Sequence, residues 1–170
     1  MNSTRDSHFS KQAIILLSAQ APKDQDTIEE FNNNLAKLMN IFEQFDLGQR
    51  ILVLGDKSLI NETLLKSTDW LFAYNSAYEQ PMMTSLQRGI SLLDDDISSA
   101  TIWPCNEFSK GSDTIKKMLK TQKDNLDKVI DLTNETFPLC VPKKYFDRLL
   151  NAQPTTKVEQ HIKTDIFFTI

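Results

Sequence analysis

Two short apolar runs separated by one long amphipathic stretch set the architecture of this chain. Gln12 to Ser18 reads QAIILLS and Arg50 to Gly55 reads RILVLG. Runs that short and that uniformly apolar fit strands covered on both faces, as in a parallel sheet. Between them Ile28, Phe31, Leu35, Leu38, Phe42 and Phe45 recur at three- and four-residue steps, giving a helix one apolar face that has to be buried. Thr27 with Glu30 three residues on is a capping-box start, and Gly48 is placed to stop the helix. Strand, helix and strand together make a β-α-β unit.

The alternation continues. A helix is expected near Ser58 to Lys66, a strand at Trp70 to Tyr74, a helix at Met82 to Leu93 and a strand at Ala100 to Trp103. Helices alternating with strands predict a mostly parallel sheet with helices on its faces. Beyond it, Ser112 to Lys120 reads as a helix, DKVIDL and FPLCV as short strands, PKKYFDRLLN as a helix with Pro142 in its first turn, and the terminal TDIFFTI as a strand. No repeat, low-complexity tract or linker divides the chain. Residues 1–11 are expected to form a tail and residues 12–170 a single domain.

At 170 residues such a domain can bury about 70% of its unfolded surface, so a sizeable core is within reach. A formal net charge of -4 exerts no general pull on nucleic acid or anionic membrane. The longest apolar run, Ala13 to Leu17, is far too short to span a bilayer, and MNSTRDSHFSK lacks the apolar region of a secretory signal. The expected location is the cytoplasm, and the expected partners are a small-molecule nucleotide or a protein, with no nucleic acid and no membrane. Cys105 and Cys140 lack CxxC spacing and read as reduced thiols; Cys105 has no histidine near it in sequence, since His8 and His161 lie toward the ends. Asp94 to Asp96 cap or solvate the turn after a helix rather than hold a metal.

One segment is more specific than its surroundings. Asn75 to Ile90 reads NSAYEQPMMTSLQRGI, a loop running into a helix. Met82, Leu86, Ile90 and Leu93 form a core-facing stripe, while Ser85 and Gln87 would stand near the positive end of the helix, where phosphate or carboxylate is favoured. The segment resembles the N-P-x-aromatic-x-x-G-M-x-x-S-L-x-x-G stretch of MobA-like nucleotidyltransferases, the family of molybdenum-cofactor cytidylyl- and guanylyltransferases. Asn75, Tyr78, Met82, Ser85, Leu86 and Gly89 match at the right spacing, with Pro81 in a glycine position. AIILLSA and RILVLGD resemble the family's first two strands, TIWPCNEF its P-x-D-x-P strand, and FPLCVPKKYFDRLL its G-H-P-x-x-F segment. The likeness spans roughly Ala13 to Ile170. It implies a three-layer α/β/α Rossmann-like nucleotide-diphospho-sugar transferase (nucleotidyltransferase) fold, and nucleotide contacts from Ser18, Ala19, Gln20, Lys23, Asn75, Ser85 and Gly89.

The same resemblance marks three departures. Relatives carry a glycine-rich, basic loop after the first strand, because glycine lets backbone amides approach phosphates and the cations offset their charge. Here LSAQAPKDQDTIEEF puts Gln20 at the first glycine, Pro22 at the serine and Asp24 at the arginine, and leaves Lys23 as a substitute cation among Asp24, Asp26, Glu29 and Glu30. In the P-x-D-x-P motif the aspartate holds Mg²⁺, which prefers hard charged oxygen; Asn106 occupies that position, with Glu107 adjacent. Any Mg²⁺ site is therefore expected to be weakened. On the acceptor side Thr136-Phe137-Pro138 replaces G-H-P, a phenyl ring for an imidazole. Three sites altered together predict a degenerate nucleotidyltransferase that keeps nucleotide or partner binding. The alternatives are a working cytidylyl- or guanylyltransferase that uses Lys23 and Glu107, and a protein-interaction module.

Overall fold

The computed structural model describes residues 6–18, 25–55, 66, 69–106, 111–131, 137–162 and 166–167. Its strands are β1 (Asp6–Leu17), β2 (Phe45–Leu54), β3 (Leu71–Tyr74), β4 (Ser99–Pro104), β5 (Ile130–Asp131), β6 (Leu139–Pro142) and β7 (Ile166–Phe167), and its α-helices are α1 (Gln25–Glu43), α2 (Met82–Ile90), α3 (Ser112–Asp124) and α4 (Phe146–Leu150). The expected helix near Ser58 to Lys66 lies, except for Lys66, outside the described residues.

The strands form one sheet in the order β3-β2-β1-β4-β6-β5-β7. β3, β2, β1 and β4 are mutually parallel, with Ile15 opposite Ile51 on one side and Ile102 on the other. β6 runs antiparallel to both β4 and β5. The mostly parallel sheet is thus present, with one reversed strand inserted into its far flank.

Side-chain alternation divides the core into two layers. Ile14 and Leu16 point to the side covered by α1 and α3, where Phe31, Leu35, Leu38, Phe42, Ile115, Met118 and Leu119 pack. Ala13, Ile15 and Leu17 point to the opposite side, against Met83, Leu86 and Ile90 of α2 and Phe146 and Leu149 of α4. Successive strand residues face opposite ways, so a run apolar at every position serves both layers at once. Helix, sheet and helix give the three-layer α/β/α arrangement.

Several boundaries differ from the sequence expectation, each for a local reason. β1 begins at Asp6, so residues 6–11 of the expected tail belong to the strand; Asp6 and Phe9 pair with Phe45 and Leu47 across register shifts. α1 already includes Gln25, so Thr27 sits inside the helix and does not cap it. Its end is also earlier. Gln44 is a one-residue turn, Phe45 is the first residue of β2, and Gly48 lies inside that strand. Arg50 rather than glycine answers the helix end: its Nε donates to the Phe42 carbonyl at 3.4 Å, and its terminal nitrogen donates to the Phe45 carbonyl. A Cβ on Gly48 would stand 2.2 Å from the Ser10 carbonyl oxygen, so glycine there permits β1 and β2 to approach closely. α2 ends at Ile90, and Ser91 to Leu93 continue as a turn. Pro142 closes β6 and precedes a 3-10 turn at Lys143–Tyr145, so it stands outside the helix it was expected to start. Among the described residues no helix is long and apolar enough to cross a membrane.

Candidate functional site

The chain leaves β1 through β2 and β3 on one side, then returns to place β4 on the other. A reversal of this kind opens a crevice beyond the carboxyl ends of the strands, where open α/β sheets bind ligands. The first residues past those ends are held by extensions of the ladder. Ser18 N–H donates to Val53 O at 2.9 Å, Asn75 N–H to Leu54 O at 2.8 Å and Cys105 N–H to Leu17 O at 2.9 Å. Three loops therefore start from one rigid platform.

A cavity of about 90 Å³ occupies this crevice, lined at its mouth and floor by Ser18, Phe31, Tyr78, Met82, Ser85 and Asn106, among others. The structure thus brings Ser18, Ser85 and Asn106 together around one cavity. None of the described lining residues is charged. Asn106 is exposed at the rim, whereas Ser18 and Ser85 are buried.

Hydrogen bonding shows what those side chains are committed to. Ser18 Oγ donates to the Val53 carbonyl at 2.8 Å, tying the strand end to its neighbour. Asn75, 7% exposed, accepts the Ala77 N–H on Oδ1 at 3.0 Å. Its Nδ2 donates to Thr84 Oγ1 at 3.0 Å and to Ser85 Oγ at 2.9 Å. The side chain therefore shapes the loop and fastens it to the first turn of α2 rather than pointing into the cavity. Gln87 is likewise occupied: its amide donates to the carbonyls of Leu149 at 3.0 Å and Ala152 at 2.8 Å, joining α2 to the end of α4.

Gly89 has no access to the crevice. It is buried in α2, where an added Cβ would lie 2.5 Å from Ile15 Cγ2 and 3.2 Å from Val53 Cγ2. The missing side chain lets the helix settle on the sheet, a packing role in place of the expected nucleotide contact. Gly89→Ala is expected to cost about 1–3 kcal/mol by overpacking, because Ile15 is enclosed and β-branched. Chemical denaturation measures it; a loss below about 0.5 kcal/mol would mean that α2 lifts without strain.

The remaining expected site residues, Ala19, Gln20 and Lys23 of the first loop and Glu107 beside Asn106, lie outside the described residues. Among the described residues no group of three His, Cys, Asp or Glu side chains could hold a metal ion. An exposed asparagine amide is a poor match for Mg²⁺, which asks for several hard and mostly charged oxygens. The described residues do not fit the ion. Cys105 lines the cavity, but burial drives its thiol far up from the ordinary range. Burial likewise pushes Cys140 up to about 12 against a lowering contact from Thr101. Both behave as packed apolar groups at neutral pH.

Sequence reasoning missed Gln49 as a builder of this end of the fold. Its amide donates to Leu92 O at 3.3 Å and its carbonyl accepts Asp94 N–H at 2.7 Å, fixing the turn between α2 and β4. A polar residue at an inward position of an alternating strand, between Leu47 and Ile51 on the same face, is the signal that marks it.

The three-layer fold is shared with solved nucleotidyltransferases. No protein-family model matches this chain, and no curated protein matches it in sequence. Solved structures do. A 4-diphosphocytidyl-2C-methyl-D-erythritol synthase from Anaerococcus prevotii superposes with a TM-score of 0.66 at 14% identity, over 96% of this chain and 89% of that one. Rv0371c from Mycobacterium tuberculosis gives 0.63 at 12% identity, over 93% and 86%. The 2-C-methyl-D-erythritol 4-phosphate cytidylyltransferase of Francisella tularensis gives 0.63 at 10% identity, over 93% and 89%. A structure of the mycobacterial protein in complex with manganese is also similar, at 0.56 and 11% identity over 85% and 77%. The fold is shared across nearly the whole chain.

Proposed function

We propose that this chain is a degenerate MobA-like protein: a nucleotidyltransferase fold that has given up nucleotidyl transfer and keeps its crevice for binding a small ligand, such as a nucleotide, or a protein partner. One observation carries the reading. Asn106, which stands where the resemblance expects a metal-holding aspartate, lines the crevice at the strand ends with Ser18 and Ser85. A triphosphate needs cations or close amides, and its Mg²⁺ needs acidic oxygen. Asn106 offers an amide oxygen, while the hydroxyl of Ser18 and the amide of Asn75 are spent on internal bonds. The sequence adds Asp24 and Gln20 where relatives carry arginine and glycine, which weakens phosphate contact further.

The test is a pyrophosphate-release assay with CTP or GTP, Mg²⁺ or Mn²⁺, and a molybdopterin-type acceptor. The expected result is release no faster than in controls lacking protein. Release that requires both protein and acceptor would overturn the reading and return Lys23 and Glu107 to working roles. Thermal unfolding with each nucleotide separates the binding modes, because a ligand selective for the folded state raises the transition. A shift without turnover supports nucleotide binding; no shift and no turnover supports a partner surface.

A further inference from the structure

A second cavity stands beside the crevice. It has a volume of about 380 Å³ and is walled by Pro81, Met82, Met83, Phe137 and Val158, with Thr155, Thr156, Lys157 and Glu159 along its rim. Met82 faces both cavities. The second cavity is a more open hollow than the crevice, and its volume falls toward the low end of small-molecule sites, roughly 300–1,000 Å³.

The chemistry of the walls is uneven. Met83 and Val158 are buried, Phe137 is half-buried, and together with Pro81 and Met82 they offer an apolar bed with a ring and two adaptable thioethers. The rim holds one ammonium. Among the described residues no side-chain partner engages Lys157, whose backbone N–H donates to Gln160 Oε1 at 3.0 Å. Glu159 is already engaged in an interaction of its own. Thr156 donates to the Gln153 carbonyl at 2.7 Å, so the 2.7 Å contact with His161 is an Nε2–H donating to the same hydroxyl oxygen. That hydroxyl's proton is committed, leaving Lys157, the exposed Thr155 and the exposed carboxylate of Glu159 as the polar groups on the rim.

We infer that this cavity binds a small organic anion: a flat apolar body laid on Phe137, Met82 and Val158, with a carboxylate or phosphate at Lys157 and Thr155. Lys157 is the one cation among the described lining residues and can meet one anionic group, while Glu159 on the same rim disfavours any further negative charge, as on a polyphosphate. The inference rests on the second cavity alone and does not require nucleotide binding in the crevice.

Naphthalene-2-carboxylate and its neutral counterpart naphthalen-2-ylmethanol, titrated into the full chain and followed by amide NMR shifts, test it. The carboxylate is expected to bind more tightly by roughly threefold to tenfold at low salt, as for one partly exposed charge-assisted contact, with shifts centred on residues 155–159 and Met82. Lys157→Met should erase that preference while sparing the alcohol, and Lys157→Arg should restore it. Thr155→Trp should block both by filling the cavity. Circular dichroism and melting checks confirm that each variant is folded. Equal binding of the two probes, insensitivity to Lys157→Met in a folded variant, or no binding of either probe overturns the inference. CTP titrated separately reports on Ser85 and Asn106, so failure of the crevice reading leaves the naphthyl result unchanged.

Discussion

Trp103→Ala is expected to lose about 3–5 kcal/mol of stability, the range for emptying a large aromatic site. Trp103 has no solvent exposure and lies in β4, whose six residues are all buried. It stands opposite Leu16 in the ladder, and its ring meets Phe42 of α1 edge-on at 5.5 Å and 77°. The alanine variant removes both the transferred area and that aromatic pair, worth about 0.5–1.5 kcal/mol beyond burial. Set against a total of about 5–15 kcal/mol for an ordinary domain, the loss is severe. Trp103→Phe keeps a ring against Phe42 and should lose much less. Urea unfolding of the two variants checks this; a loss under about 1 kcal/mol for the alanine form would mean that α1 and the sheet collapse into the space. Because Trp103 directly precedes Pro104, Cys105 and Asn106, the same variant should also loosen the crevice.

The second large effect concerns Asn75→Ala, with an expected loss of about 2–4 kcal/mol. The side chain makes three hydrogen bonds, to Ala77, Thr84 and Ser85, each worth about 1 kcal/mol net, and its removal orphans groups that are partly withdrawn from water. Asn75→Asp keeps the acceptor for Ala77 but deletes both donors and places a charge at a site 7% exposed, so it should be no better tolerated. The pair of variants separates structure from function. If stability holds while nucleotide-induced stabilisation disappears, Asn75 acts on a ligand; if stability falls as expected, the asparagine is the latch between loop and helix.

The helical and strand periods make the β-α-β core legible in the sequence itself. Ala13 to Leu17 is apolar at every position because both faces of β1 are covered, and Phe31, Leu35, Leu38 and Phe42 repeat because α1 has one buried face. The boundaries were less legible for a physical reason. Phe45 continues the spacing of the helix and also starts the alternation of β2, so a residue shared by two periods hides the turn between them. Gly48 reads as a stop signal, yet its cause is the neighbouring strand, which no local pattern contains. The site was half legible. The family resemblance named Ser18, Ser85 and Asn106, which line one crevice, and on the same ground Asn75 and Gly89, which latch a loop and pack a helix. A motif records which residue types stand together, and a buried amide that holds a loop has the same one-letter pattern as one that holds a ligand. The bed around Phe137 and Val158 joins segments far apart in the chain and had no sequence signature.

The strand order also bears on how this protein is made. β1 lies inside the sheet, with β2 along one edge and β4 along the other. β2 is complete at Leu54, but β4 does not begin until Ser99. At about 5–20 residues per second, the second edge of a strongly apolar strand waits roughly 2–9 seconds for its partner. Exposed edges of that kind invite pairing with other chains. Slow synthesis between residues 54 and 99 lengthens the time for which that edge of β1 stays without its neighbour.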